Sequence, residues 1–597
     1  MAVVLRVLAV VLLVCGALLP AQEAPPAVPI GSLVDDLSFL DIRTQRRRLS
    51  DLGPCEAVVL FFVSKDCPMV GRVMPKVGRL CSEYAERKVQ FVAVDVDRSD
   101  TVRDMGTQAI LFDQPYPFVR DEGFRVARAL GVDRTTAVVV LDRERRIRYR
   151  GRVDDQVLYA NVKEAPARQD LRAALDAVLG GTDVAVTETP IEGCLISFGP
   201  AAEPSGKRTW HRDVEPIVQR RCQDCHHEGG IAPFPLLDYD DAADHAAMIG
   251  EVVRRQRMPP WHASDDFGEF RNHLALTAGE REIVEDWVRS GAPRGDAADA
   301  PPARSFPEER WRIGEPDLEL KATTPTRLPA DGIVPYSYVI LPYVFREDTW
   351  VEAVEILPEN GRVLHHANVA WFDPKTGFSQ DGFITGFVPG GDPMMLDPGT
   401  AMKIPAGSRL GLQAHYVTTG KPEVDRIHVG LRFPRTKVTR AAEVLVVTNT
   451  RFVIPPGAFA FPVGARRRVK VDSTIIGLFA HMHLRGRDMT FVAHPPAAEP
   501  TTLLMIPDYD FDWQQSYRFH EGKVKLAAGT VVEVKAHFDN STLNPFNPDP
   551  TAEVRFGEQT FDEMMYGFVF LTRDGETLAL DIDPKNGRVL AGDRTPR

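Results

Sequence analysis

Histidines 481 and 483 stand two apart in Leu478-Phe479-Ala480-His481-Met482-His483-Leu484, a run that follows Ile475-Ile476-Gly477 and reads as a strand. Side chains two apart on a strand share one face, so both imidazoles can meet one ion. A transition metal takes at least one further ligand. The chain offers the adjacent pair His365-His366, the run Gln413-Ala414-His415-Tyr416, and Asp562-Glu563-Met564-Met565. Neighbours on a regular strand point to opposite faces, so His365 and His366 can bind one ion only where the chain bends.

A second group is Cys222-Gln223-Asp224-Cys225-His226. Cys-x-x-Cys-His is the attachment signature of a c-type haem: both thiols add to the vinyl groups and His226 binds iron from one side. The run Arg208–Val218 reads as a first helix, and Thr277-Ala278-Gly279-Glu280 reads as a capping box opening a second. Arg257-Met258-Pro259-Pro260-Trp261 lies between them and resembles the methionine loop of cytochrome c domains. Met258 as distal ligand would raise the haem potential. Met248, His227, His262 and His273 are the alternatives.

The third group is Cys67, which follows the apolar run Val58–Val63 and precedes Pro68 and a helical pattern through Val73, Met74, Val77, Leu80 and Tyr84. A cysteine at a helix N-terminus gains thiolate character. Strand, cysteine, helix, the strand 89–97, and a hairpin of 137–142 with 146–150 together resemble a thioredoxin-like redoxin domain over residues 28–182. The chain departs from that pattern at Val70, where a second cysteine would complete Cys-x-x-Cys, and at Thr136, where the family has proline. Cys67 is the candidate redox thiol, with Cys81 or Cys55 as resolving partner. Cys194 is left as a free or paired thiol.

From Leu318 onward short alternating runs separated by Gly and Pro predict an all-β region of two sandwiches in tandem. His-His, Gln-x-His-Tyr, His-x-His and Asp-Glu-Met, in that order, resemble the copper type II, ascorbate-dependent monooxygenases, from Asp317 to the C-terminus. The resemblance implies one copper per sandwich. His365, His366 and His415 would hold the electron-transferring copper, with Gln413 in support. His481, His483 and Met564 would hold the oxygen-binding copper and form the catalytic site, Met565 being the alternative thioether. Imidazole suits both copper oxidation states, and a thioether favours Cu(I).

Two departures bear on substrate. Phe479 stands where the peptide-hydroxylating members have arginine, and Phe568 where they have tyrosine, so a glycine-extended peptide is not the expected substrate. No cysteine follows Cys225, so this region lacks the disulfides of the animal members.

The elements that position these groups make a multidomain chain: about three to five domains are expected for 597 residues. The expected fold classes are an α/β thioredoxin-like domain, an all-α cytochrome c domain and an all-β tandem sandwich. The expected boundaries are a signal peptide at 1–22, a redoxin domain at 28–182, a linker at 183–206, a haem domain at 207–296, a linker at 297–316, and sandwiches at 317–440 and 441–597. The signal rests on a short charged start and an apolar run from Val7 to Leu19, and it places the mature protein in the periplasm or outside the cell. No other run is long and apolar enough to span a membrane. A net charge of −12 argues against a nucleic-acid partner.

The reading that follows is an exported copper monooxygenase hydroxylating a C–H bond of a small-molecule or peptide substrate with dioxygen. It would carry two coppers and haem c, with electrons from the haem, a redox partner protein or ascorbate. The alternative is an electron-transfer or redox-sensing protein whose β region is a binding module.

Overall fold

The computed structural model describes residues 28–590 except 43, 160–161, 199–206, 307–309 and 376. The expected signal peptide at 1–22 and Cys15 lie outside the described residues.

Every side chain of the strand Ala57–Val63 is buried, because the strand lies at depth in a seven-stranded sheet. It pairs parallel with Val89–Asp95 and antiparallel with Val138–Asp142, which turns back into Ile147–Gly151. Phe118–Arg120 and the short strands Ser38–Asp41 and Arg46–Arg48 complete the other edge. Helices Pro68–Tyr84 and Asp170–Leu179 cover one face through Met74, Val77, Leu171 and Leu175, and Arg125–Leu130 covers the other. This is a thioredoxin-like α/β domain, and it does not stop at residue 182. Glu188 bridges to Arg150, Leu195 bridges to Arg134, and Ile196 enters the core. The stretch expected to be a linker from 183 thus belongs to this domain as far as Ile196.

The next segment holds helices Glu215–Arg221, Tyr239–Asp244, Ala246–Arg254 and Ala278–Arg289. Trp210 and Trp287 pack at its centre with ring centroids 5.8 Å apart. The Thr277–Glu280 capping box forms in both directions, at 3.2 and 2.9 Å. The segment does not stand apart as an independent all-α unit. Its long loop leaves it: Trp261, Ala263 and Phe270 are buried in the core of the second β half, and Ser264 N donates to the Met505 carbonyl. The expected linker after residue 297 is also held. Gln219 donates to the Pro302 carbonyl at 3.1 Å and Arg304 pairs with Asp224 at 2.6 Å.

The C-terminal region is rich in β-sheet. Its first half is a sandwich of two four-stranded sheets. One contains Leu364–Asp373 between Gly377–Phe387 and Arg409–Tyr416, and the other contains Ala353–Pro358 and Ile427–Arg432. The tandem expectation with a boundary at 440/441 needs correcting. Thr400–Ile404 of the first half pairs parallel with Arg440–Thr448 of the second, so one seven-stranded sheet runs through both. That sheet continues through Tyr566–Arg573 to Ser473–His481.

The redoxin domain is docked on the first β half. A Cβ built at Gly420 would lie 1.8 Å from the Gly71 carbonyl oxygen, and Gly420 has φ +90, so only glycine permits this approach. Arg79 pairs with Asp331 across the same contact at 2.8 Å.

Candidate functional site

His366 and His415 are direct cross-strand partners on Leu364–Asp373 and Arg409–Tyr416. The register slips by one between Leu364 and His366, which makes His365 the extra residue of a β-bulge. The bulge answers the parity objection: adjacent histidines reach the same side because the strand is locally irregular. His365 Nδ1 lies 3.1 Å from His366 Nδ1 and 3.2 Å from His415 Nδ1. The three ligand atoms fall within 4.8 Å of one another. The outer nitrogens are pinned: His365 Nε2 lies 2.7 Å from Asp512 Oδ1, and His366 Nε2 2.9 Å from the Tyr336 hydroxyl. Anchoring the far side of a ring fixes its aim at an ion.

On the other half, His481 Nδ1 is 2.5 Å from Gln514 Oε1, and His483 Nδ1 is 3.2 Å from the Asp562 carbonyl oxygen. Both acceptors claim the Nδ1 proton, so each Nε2 carries a free lone pair. Burial drives the pKa of His481 down to about 4 and that of His483 to about 3. It drives His366 and His415 well below the ordinary value as well. These four rings are therefore neutral at neutral pH, the form that binds metal.

Met564 is buried. Tyr566–Arg573 pairs antiparallel with the His-x-His strand, His481 opposite Tyr566. Met564 stands two residues before that strand begins, as His483 stands two residues after its partner ends. Met565, the alternative, is fully buried in the second β core.

The two histidine groups are neighbours. The His366 and His481 ring centroids are 6.3 Å apart, and Tyr336 lies 5.6 Å from His366 and 6.2 Å from His483. Phe511 packs against both groups, 5.2 Å from His366 and 6.0 Å from His483. Sequence reasoning missed Tyr336, Phe511 and Asp512, because none falls in a ligand-like pattern. Gln413 donates to the Tyr338 hydroxyl at 3.1 Å instead of supporting a histidine. Phe479 and Phe568 stack with Phe383 at 5.9 and 4.2 Å, so they bind the two halves together and do not line an open pocket.

A cavity of about 200 Å³ opens beside His365 and His415. Phe511 and Asp512 border it, and its opposite wall includes Arg72 and Tyr159 of the redoxin domain.

Cys67 caps the N-terminus of Pro68–Tyr84 and is buried. Thr135 Oγ1 donates to its sulfur at 3.0 Å. Burial pushes the Cys67 thiol up, but hydrogen bonds from Cys194 and Thr135 outweigh it and bring it below an ordinary thiol. Cys194 moves the opposite way, well up, chiefly because it donates to Cys67. Thr136 has φ +61, an unfavourable conformation for a β-branched residue, one position after the Thr135 contact. Cys81 lies fourteen residues along the same helix, roughly 20 Å away by helical rise. Cys55 precedes the opposite end of the strand. Neither reaches Cys67, and Cys194, which the sequence left unassigned, does.

His226 Nδ1 lies 3.0 Å from the Phe234 carbonyl oxygen, which leaves Nε2 free to bind iron. Burial raises both thiols, Cys222 to about 12. The donor set fits haem attachment. Met258 is half-buried just beyond Ala246–Arg254. Of the alternatives, Met248 lies within that helix, His227 stacks on Phe306 at 4.3 Å, His273 pairs with Asp265, and His262 lies among second-half residues with Asp510 and Tyr517. His245, not considered from sequence, stacks on Phe234 at 3.8 Å.

A family profile described as Redoxin matches residues 36–168. No curated protein matches the chain. Similar solved structures include a hypothetical protein from Sinorhizobium meliloti, 27% identical over 28% of this chain and 94% of that one, with a TM-score of 0.25. A peroxidoxin from Mycobacterium tuberculosis is 24% identical over 25% and 94%, with a TM-score of 0.20. A thiol:disulfide interchange protein from Chlorobium tepidum is 20% identical over 26% and 100%, with a TM-score of 0.22. No helix among the described residues is long and apolar enough to cross a membrane.

Proposed function

We propose that this chain is an exported, periplasmic copper-dependent monooxygenase that hydroxylates a C–H bond of a small molecule with dioxygen. The observation that carries the reading is the convergence of the His365, His366 and His415 Nδ1 atoms beside the buried His-x-His pair. Copper bound there would supply the one-electron steps and the reduction of dioxygen. His365, His366 and His415 would hold one ion, and His481, His483 and Met564 the other. Asp512 and Tyr336 aim the first group. Gln514 and the Asp562 carbonyl aim the second. Phe511 packs against both groups. The cavity beside His365 and His415 is bordered by Ile333, Val334 and Phe511 together with Arg72 and Asp512.

Haem c on Cys222, Cys225 and His226 would bring electrons in singly, with Met258 as distal ligand and ascorbate as an alternative reductant. The Redoxin match and the Cys67–Thr135 contact support a second reading, an electron-transfer or redox-sensing protein whose β region binds a partner. Metal and haem analysis of protein purified from the periplasm, followed by oxygen uptake with candidate substrates, separates the two. Two coppers per chain and substrate-dependent uptake support the monooxygenase. Absence of copper binding leaves the second.

A further inference from the structure

We infer that Cys67 and Cys194 form a dithiol–disulfide couple that delivers its two electrons to the metal centre across the cavity shared by Arg72, His365 and His415. The donor stands on this chain's own geometry; the acceptor rests on the copper reading above.

Three hydrogen bonds build the couple. Cys194 N donates to Thr135 Oγ1 at 2.9 Å, Thr135 N donates to the Cys194 carbonyl at 3.0 Å, and Thr135 Oγ1 donates to Cys67 Sγ at 3.0 Å. Interaction with Cys194 also holds the Cys67 thiol below its ordinary range. Thr135 thus fixes the main chain of one cysteine and the sulfur of the other. The pairing is not fortuitous packing of a linker, because Leu195 bridges to Arg134 and Ile196 is in the core.

The surroundings decide where the electrons go. Cys67 is 3% exposed, and the first turn of its helix is pressed against Gly420. A protein disulfide cannot approach such a sulfur. The cavity of about 200 Å³ is walled on one side by Arg72 and Tyr159 of the redoxin domain and on the other by His365 and His415. Tyr159 lines it and donates to the Gly193 carbonyl beside Cys194. Arg72 lines it and lies within the electrostatic reach of both Cys67 and Asp512, and Asp512 accepts from His365 Nε2. Arg72, on the helix that Cys67 opens, and Asp512, the partner of His365, thus face one cavity.

The step balances. The Cys67 S–H (or thiolate) and the Cys194 S–H are oxidised to one S–S bond, releasing two electrons and the thiol protons. Two Cu(II) ions, one in each histidine group, are reduced to Cu(I), and the protons pass to water. Two electrons are what one hydroxylation consumes. Two equivalents of a low-molecular-weight thiol then restore the couple: the first attacks Cys194, the half-buried member, and expels Cys67 as the better leaving thiolate, and the second attacks the mixed disulfide, frees Cys194 and leaves as the small-molecule disulfide.

The test mixes reduced, copper-free protein with two equivalents of Cu(II) without oxygen, quenches in acid, alkylates, and maps disulfides. Bound copper and its paramagnetic Cu(II) signal are measured in parallel. Expected is near-complete loss of the signal together with a Cys67–Cys194 linked peptide. Cys194→Ser should bind the same copper and retain the Cu(II) signal. His415→Ala, which keeps both thiols, should leave them mostly unlinked. Copper that binds and stays Cu(II) with both thiols free overturns the couple while the copper reading stands. Equal disulfide in His415→Ala overturns it as adventitious oxidation. No bound copper overturns the acceptor and the copper reading together, and oxidation by diamide then reports whether the two cysteines still pair.

Discussion

The Glu563 carboxylate accepts the backbone N–H of His483 at 3.0 Å and holds the end of the His-x-His strand against the loop that carries Met564. The same carboxylate accepts the Arg485 N–H at 2.7 Å, and Glu563 is fully buried. Glu563→Ala leaves two buried donors without partners, at a cost of roughly 1–3 kcal/mol each. Glu563→Gln keeps an acceptor oxygen and should lose less. Urea midpoints followed by tryptophan fluorescence check the order: wild type above Glu563→Gln above Glu563→Ala. Three equal midpoints would contradict the role.

Asp512 comes from the second half yet orients His365 of the first. Asp512→Ala should weaken copper at the first site by about 10–100-fold, the usual effect of losing a partner to a ligating histidine. Competition against a chromogenic chelator measures it, and an unchanged affinity would remove Asp512 from the site.

Met564→Ile should keep copper at His365, His366 and His415 and abolish substrate-dependent oxygen uptake, since the proposed role of the thioether is confined to the second group. Retained uptake would reassign the thioether to Met565 or dispense with it.

Gly420→Ala would force a Cβ to within 1.8 Å of the Gly71 oxygen and strain a residue at φ +90. The redoxin domain must then move off the first β half. Small-angle scattering should report a larger radius of gyration, and proteolysis should cut faster between the domains. An unchanged profile would mean that the contact does not hold them.

Cys225→Ala should lose haem staining on a denaturing gel, since it removes one of the two thiols of the attachment signature. Met258→Ala should alter the low-spin spectrum and lower the potential. If it does not, His245→Ala becomes the decisive variant, because that ring shares Phe234 with His226.

Much of this was legible in the sequence because it is local. The buried strand Ala57–Val63, the helix after Cys67, the Thr277–Glu280 box and the alternating β runs each follow from short-range pattern. The His-x-His spacing needs only the strand period of two. The tertiary structure decided what depends on residues far apart in the chain. A one-residue bulge at His365 turned an adjacent pair into convergent rings. Parallel pairing of Thr400–Ile404 with Arg440–Thr448 fused two expected sandwiches through one sheet and brought the histidine groups together. Cys194, 127 residues beyond Cys67, reaches it through backbone bonds to Thr135, and no spacing rule links them. Residue type and short spacing set which atoms can do chemistry. Packing of distant strands set which atoms meet, because register and docking are fixed by the sum of burial and hydrogen bonding over the whole chain and by no single motif.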